Sequence, residues 1–319
     1  MNQPRLGRRR FLGTAGAALA ASAAGPALPS AASAAPRTRT STVPATFRWL
    51  GTAGWRIDIG AKTVLVDPYL SRFRTGLFDG AFDPDTPLAV DAGAVDGAAG
   101  NPQTILVTHT HWDHFADVPY IAGRSGARVF GTLTAYHLGL AFGLPAARLS
   151  PVKGGEVLDF GEYTVEVVAA LHSRNGGYSM AFPGVRVAVP SRPATIAELP
   201  EGDTLAYQVT VKDGPAVFLM GGSDFVERNL EGLNPDVAMI PVPATDVTHD
   251  YVPRLLAALD RPATVVPVHW ENFETPLTNP PLANADDRKQ LDAFRAAVRR
   301  TAPRTRILLP EYLTPYSFA

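Results

Sequence analysis

His109-Thr110-His111-Trp112-Asp113-His114 follows directly on Thr104-Ile105-Leu106-Val107-Thr108, an apolar run of the buried-strand type. Three of the chain's seven histidines and one aspartate fall within these six residues. At a strand end, His109 and His111 are two apart and project to the same side, and Asp113 and His114 follow at a turn toward a helix. Imidazole and carboxylate at this density suit Zn²⁺, and less selectively Mn²⁺ or Fe²⁺. A solvated polar turn accounts for one histidine. It accounts poorly for three histidines and an aspartate behind an apolar strand.

Strands are predicted on both sides of this cluster. Phe47–Leu50 and Trp55–Ile59 flank the turn Gly51-Thr52-Ala53-Gly54, and Thr63–Val66 closes on Asp67-Pro68. Residues 69–100 show no clean period and carry Tyr69, Phe73, Phe78 and Phe82, as a lid or binding loop does. Beyond the cluster, Val118–Ala122 and Thr132–Phe142 are helix candidates. Tyr163–Val168, Leu205–Val211, Ala216–Met220, Val237–Ile240, Thr264–Val268 and Arg306–Leu309 are strand candidates. Pro267 suggests that its strand lies at an end or an edge. Tyr251–Leu259 is helical, and Asp286–Arg300 is the clearest amphipathic helix, with Leu291, Phe294 and Val298 at helical spacing. This order suits an α/β fold of two mixed sheets packed face to face with outer helices.

The composition agrees. Of 319 residues, 46% are hydrophobic, enough for a large buried core, and 28 Gly with 29 Pro point to many turns. There is no cysteine, so disulfides, thiolate metal sites and cysteine nucleophiles are excluded. Any transition-metal site must therefore be built from imidazole and carboxylate.

Residues 1–34 have the marks of an export signal. Arg5, Arg8, Arg9 and Arg10 precede Phe11-Leu12 and an Ala-rich stretch, and Ala32-Ser33-Ala34 offers a small-residue cleavage site. Arg8-Arg9-Arg10-Phe11-Leu12 resembles the signal read by the twin-arginine export machinery, so the expected location is secreted or extracytoplasmic. The apolar stretch is too short and interrupted for a comfortable membrane span. Residues 35–45 form a Pro/Thr/Ser linker, and the folded domain is expected over 46–319. Cleavage removes four of the 29 basic residues and none of the 30 acidic ones, leaving a net charge of −5. That charge gives no footprint for nucleic acid. A small-molecule substrate is the expected partner.

The histidine-rich segment resembles the H-x-H-x-D-H signature of the metallo-β-lactamase superfamily, and further motifs follow in that family's order from about Phe47 to Phe273. The resemblance implies a four-layer αββα sandwich and two divalent cations, with zinc foremost and manganese or iron as alternatives. It implies that His109, His111 and His172 hold the first cation, and that Asp113, His114 and His269 hold the second. Asp224, in Gly221-Gly222-Ser223-Asp224, is placed as the acid that bridges them. Asp67 is placed as the acid supporting the site, and Asp113 as the catalytic residue that orients a metal-activated hydroxide. Trp112, Trp270 and His249 are placed as pocket candidates beside the ligands. Glu271 is open between a supporting role and plain surface.

An acid at Asp224 and the lack of cysteine favour the lactonase, thioesterase and phosphodiesterase branches over true β-lactamases. Trp49-Leu50-Gly51, Val66-Asp67-Pro68, Pro241-Val242-Pro243 and Val266-Pro267-Val268-His269 look similar to the ascorbate-6-phosphate lactonase-like and N-acyl-phosphatidylethanolamine phospholipase D-like group. The expected function is an exported hydrolase of an ester, lactone or phosphodiester. The competing readings are a non-catalytic exported metal- or ligand-binding protein on the same fold, and a β-lactam-hydrolysing member.

Overall fold

The computed structural model describes residues 43–242 and 247–318. The signal segment 1–34, most of the 35–45 linker and Pro243 of the Pro-Val-Pro motif lie outside the described residues. No helix among the described residues is long and apolar enough to cross a membrane.

The first sheet opens with β1 (Ala45–Gly51), β2 (Gly54–Ile59) and β3 (Lys62–Val66), paired antiparallel in sequence. After α1 (Ala92–Ala98) come β4 (Thr104–Leu106), α2 (Trp112–Phe115), α3 (Val118–Ser125), β5 (Arg128–Gly131), α4 (Leu133–Ala141) and β6 (Leu149–Pro151). These three strands run parallel to β3. The second sheet begins with β7 (Val157–Asp159), β8 (Tyr163–Ala170), β9 (Thr204–Val211) and β10 (Ala216–Met220), successively antiparallel. It continues with β11 (Val237–Pro241), α5 (Tyr251–Ala258), β12 (Thr264–Val268), α6 (Ala285–Thr301) and β13 (Arg306–Ile307), all strands parallel to β10. β14 (Pro315–Tyr316) returns to the first sheet and pairs with β1, so each sheet has seven strands.

Period-two alternation builds the layers. Trp55, Ile57 and Ile59 of β2 and Val64 and Val66 of β3 face a core shared with Tyr207, Val209, Val217, Leu219 and Met239 of the second sheet. The other face of the first sheet presents Leu65 and Ile105 to a second core that includes Phe115, Ile121 and Leu138. The outer face of the second sheet presents Phe218, Met220 and Ile240 to Leu255, Leu256, Leu291, Phe294 and Val298. Three apolar interfaces between four layers give the αββα sandwich. Each fully buried Leu, Ile or Phe stabilises it by about 1.5–3 kcal/mol.

Some local expectations need correction. The 69–100 segment is not wholly irregular: Asp91 caps α1 by accepting from the Ala94 N–H. The last predicted strand shrinks to Arg306–Ile307. β12 is internal rather than an edge strand, lying between β11 and β13. Proline is tolerated because β13 pairs only with Thr264 and Val265, so Pro267 lies beyond its reach.

The parallel strands and β8 all end at one rim of the sandwich. The 69–82 loop is tied over that rim. Asp117 accepts from Leu70 N (2.6 Å), Ser71 N (2.8 Å) and Ser71 Oγ (2.5 Å), and Glu274 accepts from Thr75 N (2.9 Å) and Leu77 N (3.3 Å). Asp117→Ala leaves two backbone donors and a hydroxyl without their acceptor. We expect a loss of about 2–4 kcal/mol, read as a shift in the urea midpoint at unchanged slope.

Candidate metal centre

Each candidate ligand sits just past a strand at this rim. His109 and His111 follow β4, and Thr110 between them turns the other way and donates from its N–H to Glu201 O (3.0 Å). The Tyr207 hydroxyl fixes the end of the same strand by donating to Val107 O (2.7 Å). Asp113 and His114 lie on the short helix α2. His172 follows β8, and His269 follows β12 with its backbone at φ 59°. Asp67, after β3, has φ 41°. Non-glycine residues in the left-handed region cost about 1–3 kcal/mol each, and such strain collects at functional sites.

These turns bring the side chains into two groups. His109, His111 and His172 offer ligand atoms within 4.8 Å of one another, and Asp113, His114 and His269 do the same. The groups are adjacent: the His109 and His114 rings are 3.9 Å apart by centroid. All six residues line one cavity of about 440 Å³, with Trp112, Phe78, Phe82 and Phe273 among its apolar walls.

The outer nitrogens of four histidines are already engaged. His109 Nδ1 lies 3.1 Å from Thr108 Oγ1, and His111 Nε2 lies 2.9 Å from Ala181 O. His172 Nδ1 lies 2.7 Å from Ser173 O, and His114 Nδ1 lies 2.8 Å from Asp67 Oδ2. Each contact fixes a ring and leaves its other nitrogen for a ligand, as metal-binding histidines require. His269 Nε2 is 3.1 Å from Asp113 Oδ2, and its buried Nδ1 has no hydrogen-bond partner. The donor set of five imidazoles and one carboxylate fits divalent transition metals.

Electrostatics favour ligation. Burial holds His111 down at about 4 and His172 at about 3, and drives His109 well below its ordinary value. These rings are therefore neutral near pH 7, with lone pairs free. Burial alone raises the Asp113 carboxyl, but His114 and His269 outweigh it and keep the group ionised.

Asp67 is fully buried. Its Oδ1 accepts from Thr108 N (2.7 Å), and its Oδ2 accepts from Thr108 Oγ1 (2.5 Å) as well as facing His114. Gly221, at the end of β10, is packed against this acid: a Cβ there would lie 1.9 Å from Thr108 Oγ1 and 2.9 Å from Asp67 Oδ2.

Asp224 does not join the cluster, and its assignment as the bridging acid is withdrawn. β10 ends at Met220, and the cavity is lined at that point by Gly221. Asp224 lies further along, where it bridges to Leu171 and accepts from Phe225 N (2.8 Å). It lines a different cavity with Arg174, Tyr178 and His249. His249 therefore also stands away from the ligands, 3.5 Å from the Asp250 carboxylate. Trp270 is likewise no pocket wall. It stacks on Trp49 at 6.0 Å and donates to Pro267 O, turned into the core. Asp224→Ala is expected to leave metal content unchanged, turnover within about threefold, and stability within about 1 kcal/mol. Metal analysis and denaturant melts check all three.

Glu271 is buried, not surface. Its Oε1 accepts from Thr52 N (2.7 Å) and pairs with Arg72 at 3.4 Å, and its Oε2 has no partner. Arg72 also donates to Asn272 O and Tyr312 Oη. Asp117 and Glu274, the two acids that tie down the 69–82 loop, carry no sequence signal beyond Asp117's place three residues after His114.

Residues 46–269 match the model of the beta-lactamase superfamily domain. A metal-dependent hydrolase of Methylobacterium nodulans is 32% identical over 231 residues, covering 70% of this chain and 84% of that protein. Among solved structures, a metallo hydrolase of Ignicoccus hospitalis matches with TM-score 0.55 and 18% identity, covering 86% of this chain and 98% of that one. An isothiocyanate hydrolase from Delia radicum gut bacteria matches with TM-score 0.55 and 18% identity, over 86% and 99%. The chain belongs to the metallo-β-lactamase superfamily. Within it, this is a metal-dependent hydrolase.

Proposed function

We propose that the chain is an exported hydrolase that holds two divalent cations, zinc foremost, and cleaves an ester, lactone or phosphodiester bond with activated water. The observation that carries this is the pair of three-ligand groups facing a single cavity. His109, His111 and His172 would hold one cation, and Asp113, His114 and His269 the other. Bound cations supply Lewis acidity, which polarises the bond under attack and makes water a competent nucleophile near neutral pH. Asp113, ionised and lining the cavity, accepts a hydrogen bond from the attacking water and aims it. Asp67 and Ser173 O hold the His114 and His172 rings in place.

The motifs shared with the lactonase-like group support an ester or lactone bond. The displacement of Asp224 supports a second reading, a β-lactam-hydrolysing member, because it removes the bridging acid from the argument against that reading and leaves only the lack of cysteine. The arginine run at 8–10 and the Ala32-Ser33-Ala34 site support export by the twin-arginine pathway. Secreted material beginning after residue 34 supports cleavage of the signal, secreted material beginning near Met1 contradicts cleavage, and protein found only in the cytoplasm contradicts export.

The test is a panel of esters, lactones, phosphodiesters and β-lactams on metal-loaded protein. We expect turnover in at least one class, abolished by a chelator and restored by Zn²⁺. Metal-loaded protein with no turnover on any of them would instead favour the non-catalytic binding protein.

A further inference from the structure

The cavity has two unlike parts. Its floor is the ligand cluster. Its outer wall is apolar: Leu77, Phe78 and Phe82 from the 69–82 loop, with Trp112 and Phe273. Phe78 packs edge-on against Phe273 at 4.8 Å, and Phe82 lies 6.0 Å from Trp112. Leu77 and Phe82 remain 42% and 38% exposed, so the apolar surface reaches the mouth. Among the described residues no partner covers these two side chains fully, as in a wall that takes a ligand.

The wall is held in shape. Glu274 accepts from Thr75 and Leu77, and Asp117 accepts from Leu70 and Ser71. Gly76 has φ +81°, and a Cβ there would come within 2.2 Å of Ala81 O, so the loop is folded tightly on itself.

The charged side chains lining this cavity outside the ligand cluster are carboxylates, and one of them, Glu271, is paired with the buried Arg72 at 3.4 Å. Among the described residues that line the cavity, none is lysine or arginine. Glu271 and Asp287 both line it. Glu271 has an unpartnered buried Oε2, and Asp287 sits on the first turn of α6. Burial, and then the neighbouring Asp286 and Glu271, push the Asp287 carboxyl up, while His269 pulls it down, so it belongs to the same electrostatic neighbourhood as the ligands. The amino end of α6 would ordinarily attract an anion. Here it is already satisfied by its own capping box: Asn284 Oδ1 accepts from Asp287 N (2.9 Å), and Asp287 Oδ2 accepts from Asn284 N (3.3 Å). The cationic side chains Lys153 and Arg174 line a neighbouring cavity that shares only His172 with this one.

We infer that the substrate's non-reacting part is apolar and uncharged, seated against Phe78, Phe82, Trp112 and Phe273, and that Asp287 selects against substrates whose remote end carries a carboxylate or phosphate. The inference rests on the hydrolase reading of the same cavity. It narrows the substrate class to esters or lactones with an apolar acyl or ring portion. An anion at the remote end loses hydration against the wall and meets Asp287 without a compensating cation.

The experiment compares two eight-carbon hydroxamates on the metal-loaded chain by calorimetry. Both carry the same metal-gripping head. Octanohydroxamate ends in a methyl group, and the monohydroxamate of suberic acid ends in a carboxylate. We expect the carboxylate-ended ligand to bind at least about 30-fold more weakly. Asp287→Asn keeps an oxygen for the Asn284 N–H and should narrow the ratio by about fivefold. On the unmodified chain, raising salt from about 0.02 M to about 0.5 M should narrow it in the same direction.

Equal or tighter binding of the carboxylate-ended ligand overturns the inference, as does a ratio that neither Asp287→Asn nor salt moves. If neither hydroxamate binds, the metal reading fails and the inference fails with it. If the contrast holds while no ester or lactone is cleaved, the cavity's preference stands and the hydrolase reading falls.

Discussion

Asp113→Ala is expected to lower kcat/KM by about a thousandfold or more, equivalent to about 4 kcal/mol of transition-state stabilisation. Asp113 is the one carboxylate among the six candidate ligands, and it faces His114 at 3.5 Å and His269 at 3.1 Å. Removing it takes away a ligand of the second group, the only negative charge within that group, and the acceptor that aims water. Its loss also leaves His114 and His269 facing each other without an anion between them. Metal content should fall from two cations per chain toward one, while the far-ultraviolet circular dichroism stays unchanged. The readout that separates this residue from Asp224 is the comparison itself. Asp224→Ala keeps both cations and most of the turnover, although the family resemblance places both acids at the metals. Equal losses in both variants would contradict the site described here.

Asp67→Ala is expected to have the largest effect on stability. The carboxylate is fully buried and organises three groups at once: the Thr108 N–H, the Thr108 hydroxyl and the His114 ring. Its deletion strands a buried backbone donor and frees a ligand ring to rotate, at a cost of about 3–5 kcal/mol. For a domain of this size that is a fall in Tm of about 8–15 °C. Metal affinity should drop by about 10–100-fold, because the ring's tautomer and angle are no longer imposed. Asp67→Asn distinguishes the two effects. It retains an oxygen to accept from Thr108 N and should recover much of the stability. Its other end is an amide donor facing His114 Nδ1, so the metal affinity should stay low.

The sandwich was legible because strand alternation is a local property. Val64-Leu65-Val66 and Val217-Phe218-Leu219-Met220 divide between an inner and an outer core residue by residue. The short pieces were not legible. β5, β6, β7 and β14 span two to four residues each, too few for a period to show. The His109–His114 cluster is likewise contiguous in sequence, whereas the parts that shape the cavity are assembled from a distance. Glu271 meets Arg72 across 199 positions, and the acid that pins Thr75 is Glu274. Neither partnership leaves a trace in the residues beside it. Asp224 shows the opposite failure, a local motif misplaced by two or three residues. The strand ends at Met220, so glycine stands at the rim and the acid has already turned away.

Anomalous diffraction from a crystal of the zinc-loaded chain, recorded on either side of the zinc edge, tests the central claim most directly. Two peaks should be found, one among His109, His111 and His172 and the other among Asp113, His114 and His269. A single peak, a peak held by Asp224, or no zinc within reach of these six side chains would contradict it.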